Sequence, residues 1–103
     1  MLTSFVLDRE LRTLTLEIKG FDIDRFDEQG QAICQQLELT VLERQQDADL
    51  ITWLVDFEGT TLLLKAEHYS ASCWLEAMRE EDVDILVFLT AHYAGHANTV
   101  SDV

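Results

Sequence analysis

Apolar and polar residues alternate over residues 11–19, and the alternation ends at Gly20. A period of two is typical of a strand with one buried face, so this segment is predicted as a strand. After Gly20 the apolar positions recur at steps of three and four, which predicts a helix with Asp24 as its N-cap. The apolar stripe of this helix comprises Ile23, Phe26, Gly30, Ile33 and Leu37. A glycine in that stripe would let the helix approach a sheet closely.

Three further strands are predicted between residues 38 and 67. The first spans residues 38–45, and the next two form a hairpin that turns at Glu58-Gly59-Thr60. One face of the hairpin is apolar and is expected to be buried, with Trp53 as its anchor in the core. The opposite face is half apolar, carrying Leu54 and Leu63 among Thr52, Asp56, Thr61 and Lys65. We expect that this second face is either covered by another element or used for association.

The segment after the hairpin is predicted to be helical. Trp74, Leu75 and Met78 have helical spacing, and Ser70 or Ser72 is a suitable N-cap. A further helix is predicted over residues 82–93. Alternate apolar residues there also fit a strand, but the length of the segment and its lack of turn residues favour a helix.

These elements predict an α+β fold with a single domain over residues 1–96 and a frayed C-terminal tail over residues 97–103. Phe5 and Leu7 fit a short additional strand at the start. The expected architecture is a mainly antiparallel sheet of four or five strands packed against two or three helices. The expected order is β-(β)-α-β-β-β-α-α, with the arrangement of strands in the sheet left open.

The chain is strongly acidic. Its 103 residues include 20 acidic and 7 basic ones, for a formal net charge of −13, and 48% are hydrophobic, enough to build a core. Binding of nucleic acid or of an anionic membrane requires clustered basic residues, and here they are dispersed, so both partners are disfavoured. The longest apolar run, residues 85–89, is too short to span a membrane. A basic protein partner is favoured by the charge.

The N-terminus reaches Asp8 without a preceding basic region, which is unlike a secretory signal. Cys34 and Cys73 are far apart and have apolar neighbours, as expected of two reduced thiols. The expected compartment is therefore the cytoplasm.

The segment from Glu67 to Cys73 contains the densest set of reactive side chains. If Ser70 or Ser72 caps a helix, Cys73 lies in its first turn, where the helix dipole lowers the pKa of a thiol, and His68 is positioned as its base. The alternative is structural, with a buried Cys73 and with His68 at the end of the hairpin.

His92 and His96 are four residues apart, a spacing that places two imidazoles on one helical face for a metal. Gly95 lies between them, and no third ligand accompanies them, so an exposed helix end is the competing interpretation. The chain has no glycine-rich phosphate loop, and no cofactor is predicted.

The run from Trp53 to Gly59, the segment Glu67-His68-Tyr69-Ser70 and the sequence Trp74-Leu75-Glu76 resemble a family of small bacterial proteins of about a hundred residues, classed as a domain of unknown function. The resemblance implies a cytosolic bacterial protein and carries no activity or site residues.

Two functional hypotheses follow. The first is a non-enzymatic protein that acts through protein contacts, as an accessory to a basic partner or as a homodimer, and uses a surface formed by Thr52, Leu54, Asp56, Leu63 and Lys65. The second is a small enzyme that depends on His68 and Cys73.

Overall fold

The computed structural model of the chain describes residues 2–93 and 99–102. The strands within these residues are β1 (Leu2–Asp8), β2 (Thr13–Ile18), β3 (Thr40–Asp47), β4 (Leu50–Phe57), β5 (Thr60–Glu67), β6 (Ser72–Ala77) and β7 (Thr99–Asp102). The helices are α1 (Phe26–Gln36), which follows β2, and α2 (Val83–His92), which follows β6. A 3₁₀ turn precedes each helix, at Ile23–Arg25 and at Glu80–Asp82.

All the strands belong to one sheet, in the order β3-β4-β5-β6-β2-β1-β7. The six strands from β3 to β1 are antiparallel to their neighbours, and β7 pairs with β1 in parallel. The α+β class agrees with the prediction. The predicted count of four or five strands and the predicted order of elements are wrong, chiefly because the segment after the hairpin is a strand.

That segment, β6, was predicted as a helix from the spacing of Trp74, Leu75 and Met78. It is instead paired on both sides, with β5 and with β2, and its alternate residues Cys73, Leu75 and Ala77 are buried. The turn before it contains no helix for a serine to cap. The carboxylate of Glu67 instead accepts hydrogen bonds from the backbone N–H groups of the two residues that follow His68, at 2.7 and 3.0 Å. Tertiary pairing therefore decides the conformation of this short segment.

Helix α1 lies where the apolar stripe predicted it. It begins at Phe26, after a 3₁₀ turn, and Asp24 is not its N-cap. The side chain that caps the preceding 3₁₀ turn belongs to Asp22, which accepts a hydrogen bond from the Asp24 N–H at 3.0 Å. The expected close approach at Gly30 is confirmed, because a Cβ on this residue would lie 2.7 Å from the Trp53 ring. Only glycine fits between this helix and the sheet.

Both helices pack on one face of the sheet and form a single core with it. Alternate strand residues and the apolar sides of α1 and α2 belong to one buried cluster. Trp53 is 2% exposed and lies against the ring of Phe26, with a distance of 4.9 Å between ring centroids. The prediction of Trp53 as the core anchor is confirmed, and within the described residues neither helix covers the other face of the sheet.

Strand β3 forms one edge of the sheet. Its register with β4 shifts between Val41 and Glu43, which marks a bulge at Leu42. The guanidinium of Arg44 lies over the Trp53 ring, 4.3 Å from the centroid. Most side chains of this strand are exposed.

The far edge is formed by β7, and residues 94–98 and 103 lie outside the described residues. The tail predicted over residues 97–103 is thus described only at residues 99–102, which pair with β1. In the described part of the chain, neither helix has the length and apolar character needed to cross a membrane.

Candidate interaction surface

The face of the sheet opposite the helices is the main candidate surface. On β2, β4, β5 and β6, the residues that alternate with the core point to this side, and each keeps part of its surface in solvent. We call this the open face; it comprises Thr13, Thr15, Thr52, Leu54, Asp56, Thr61, Leu63, Lys65, Trp74 and Glu76.

The apolar residues of the open face lie on three adjacent strands. Leu54 of β4 lies directly opposite Leu63 of β5, which in turn lies opposite Glu76 of β6. In the neighbouring row, Lys65 is opposite Trp74. Cross-strand pairs of this kind bring side chains into contact, so the two leucines form one apolar patch next to the indole.

Polar contacts fix the centre of the open face. The Lys65 ammonium lies 3.3 Å from the Glu76 carboxylate, and these two side chains are only 20% and 30% exposed. The indole N–H of Trp74 donates to the other oxygen of the same carboxylate at 3.3 Å. Lys65 is thus paired with an acid and gives the face no free positive charge.

All five residues proposed from the sequence for a contact surface lie on the open face, where the structure brings them together across β4 and β5. Asp56 also has a local role, since its carboxylate accepts a hydrogen bond from the Gly59 N–H at 3.1 Å and closes the hairpin turn. Sequence reasoning missed Trp74 and Glu76 because it placed them on a helix. The alternation of β6 was the signal that would have identified them.

A shallow cavity adjoins Trp74 on the open face. It has a volume of about 380 Å³ and is lined by Leu11, Thr13, Thr15, Trp74 and Glu76. Leu11 belongs to the turn between β1 and β2 and is 68% exposed. The cavity therefore extends the apolar surface beyond the two leucines.

The two residues of the proposed reactive pair have different environments. Cys73 is in a strand and not in the first turn of a helix, and it is 1% exposed. Burial is the main cause that raises the pKa of the Cys73 thiol, to about 12, and the nearby Cys34 contributes a smaller part of the rise. His68 is exposed in the turn after β5, where its backbone N–H donates to the Asp49 carbonyl oxygen at 2.9 Å. The environment of Cys73 thus opposes formation of a thiolate.

The His68 side chain lines a second cavity, between the start of α1 and the turn that joins β3 to β4. This cavity has a volume of about 340 Å³ and a partly acidic wall that includes Asp24, Asp27 and Asp49. Within the described residues, no group of three or more His, Cys, Asp or Glu side chains is arranged to hold a metal ion.

His92 ends α2 and is exposed. Its ring stacks on Phe88, with the centroids 5.1 Å apart and the planes 13° apart. His96, its proposed partner in a metal site, lies outside the described residues, so this pair stays a prediction.

Comparison with known proteins identifies one family. The model of a family described as "Protein of unknown function (DUF3630)" matches residues 2–93, which confirms the resemblance to a domain of unknown function inferred from the sequence. No curated protein and no solved structure matches the chain.

Proposed function

The chain belongs to the DUF3630 family of proteins of unknown function, and we propose that it acts without catalysis, by binding a basic partner protein on the open face of its sheet. The observation that carries this proposal is the half-apolar open face itself. Leu54 and Leu63 form a half-buried apolar pair with Trp74 diagonally across from Leu63, and neither described helix covers them. Exposed apolar surface with a polar rim is typical of a protein contact.

The charge of the chain favours a basic partner over a second copy. Two copies would each bring a formal charge of −13 to the contact, and like charges across an interface oppose association. The open face adds to this acidity at its margin through Asp56, while its one lysine is paired with Glu76. A basic surface would be attracted over several ångströms, and its association would weaken as salt screens the charges.

The environment of Cys73 supports a contact function over the thiol-dependent enzyme. A thiol with a pKa of about 12 is protonated at neutral pH, and the thiolate is the nucleophile in such enzymes. We also propose a cytosolic, bacterial setting for the protein. The two cysteines, Cys34 and Cys73, are both free, which suits a reducing compartment.

The decisive variant is Leu63→Glu, which places a charge in the middle of the apolar patch. The matched control is Leu42→Glu, the same change at a leucine that is 53% exposed in the β3 bulge. Both variants should keep the wild-type circular dichroism spectrum. A partner captured by the immobilised wild type and then purified should have a basic isoelectric point, bind more weakly as salt rises, and lose binding to Leu63→Glu alone.

Equal binding to both variants, or an acidic partner, would contradict the proposal. Sedimentation of the isolated chain tests whether the open face instead binds a second copy of the protein. A monomer is expected; a dimer that Leu63→Glu converts to a monomer would replace the basic partner with a second copy.

A further inference from the structure

The cavity beside Trp74 has the size and the lining of a site for one side chain. Its volume of about 380 Å³ is near the lower end of the range of about 300–1,000 Å³ for small-molecule sites. Two threonines of β2 line it beside the indole, together with Leu11 of the turn before β2. An extended side chain that enters from a partner would contact the indole along its length.

The charged residue in the lining of this cavity is Glu76, whose carboxylate lies at the edge of the Trp74 indole. One oxygen of Glu76 accepts the Trp74 indole N–H at 3.3 Å, and the other is 3.3 Å from the Lys65 ammonium. Both contacts are long, and a carboxylate has about four acceptor positions, so Glu76 retains capacity for another donor. A cation over the indole would therefore reach an aromatic face and a carboxylate together.

We infer that this cavity binds an arginine side chain of the basic partner, with the guanidinium stacked on Trp74 and hydrogen-bonded to Glu76. This inference rests on the proposed function. Arginine fits better than lysine because its planar group stacks on aromatic rings and carries several N–H donors at its edge. Tryptophan and arginine are also the residues that most often dominate the energy of protein interfaces.

The surrounding charges leave room for this cation. Lys65 lies on the β5 side of Trp74 and does not line the cavity, and its ammonium contacts the Glu76 oxygen that does not accept the indole N–H. The guanidinium of Arg12, on the nearby turn, donates to the Met78 carbonyl oxygen at 3.3 Å and is also outside the lining. The protein already contains one pairing of the same kind, that of Arg44 with Trp53 on the opposite side of the sheet.

The test uses the whole chain and NMR signals of its two indole N–H groups. The probe is the tripeptide Gly-Arg-Gly blocked at both ends, and the control is the same peptide with citrulline, which has a similar shape and no charge. The arginine peptide should shift the Trp74 signal to saturation and leave that of Trp53, which is 2% exposed, unchanged. The citrulline peptide should bind at least about tenfold more weakly, because a hydrogen bond between charged groups is lost.

Two variants localise the effect. Glu76→Gln should weaken binding of the arginine peptide by about tenfold, whereas Asp27→Asn, in the other cavity, should not change it. Equal binding of the two peptides, equal binding by Glu76→Gln, or shifts confined to residues around Asp27 would each overturn the inference. If the inference is overturned but Leu63→Glu still abolishes capture of the partner, the proposed function stands without this site.

Discussion

Replacing Gly30 with alanine is expected to destabilise the fold, although alanine is the better helix former. The new Cβ would lie 2.7 and 2.8 Å from two atoms of the Trp53 indole and 2.9 Å from the Phe26 ring. The indole has little freedom to move away, because it is almost fully buried and is packed between Phe26 and the guanidinium of Arg44. The substitution therefore forces the helix away from the sheet or Trp53 out of its rotamer.

The size of the effect follows from two opposing contributions. Overpacking a core costs about 1–3 kcal/mol, and exchanging glycine for alanine inside a helix gains about 1 kcal/mol. We expect a net loss of about 1 kcal/mol in the free energy of unfolding. For a domain of this size, such a loss lowers the melting temperature by about 4–8 °C.

Urea unfolding followed by circular dichroism measures the change. The exposed neighbour Gln31 provides the control, since the difference between Gln31→Ala and Gln31→Gly gives the helix propensity alone. In a Trp53→Phe background the two contacts with the indole should be relieved while that with Phe26 remains, so Gly30→Ala should be less destabilising than in the wild type. If Gly30→Ala stabilises the otherwise wild-type chain by the amount measured at Gln31, the close approach of helix and sheet is refuted.

Two further predictions concern buried titratable groups. Cys73, with its pKa raised to about 12, should resist iodoacetamide in the native chain at pH 8 and react after denaturation; native labelling with an apparent pKa near the free-thiol value of about 8.5 would contradict its burial. Burial and a 2.5 Å hydrogen bond to Glu38 raise the pKa of Tyr93 to about 12. The folded phenol thus keeps its proton where the unfolded one, with a pKa of about 10, has lost it. The free energy of unfolding should fall as pH rises from 10 to 12. Urea titrations at several pH values should show a shallower fall for Tyr93→Phe, and an unchanged slope would refute this role of Tyr93.

The hairpin of β4 and β5 could be predicted from the sequence because the residues that determine it are close together along the chain. Alternate residues of β4, and of β5 from Leu62 onward, are buried, and Glu58 and Gly59 adopt the positive φ angles of a tight turn, 49° and 93°. Trp53 lies opposite Leu64 across this hairpin. Five residues of the open face could be named for the same reason.

The rest of the open face depends on contacts that are distant along the chain. Strand β6 has only six residues, and Trp74 and Leu75 fit the spacing of a helix as well as that of a strand. Its conformation is determined by pairing with β2, nearly sixty positions earlier, as in the register of Thr15 with Trp74. The alternation within β6 could have identified it as a strand but does not show which strands it pairs with, so the cavity beside Trp74 could be found only in the folded chain.

The bulge in β3 has a consequence for how molecules of this protein meet. An exposed edge strand offers its backbone to any other extended chain, and continuous pairing between edges leads to fibrils. Here the shifted register at Leu42 breaks the row of backbone donors and acceptors, and Glu43, Arg44 and Asp47 place charges beside it. We therefore expect this edge to be a poor template for aggregation in concentrated solutions of the protein.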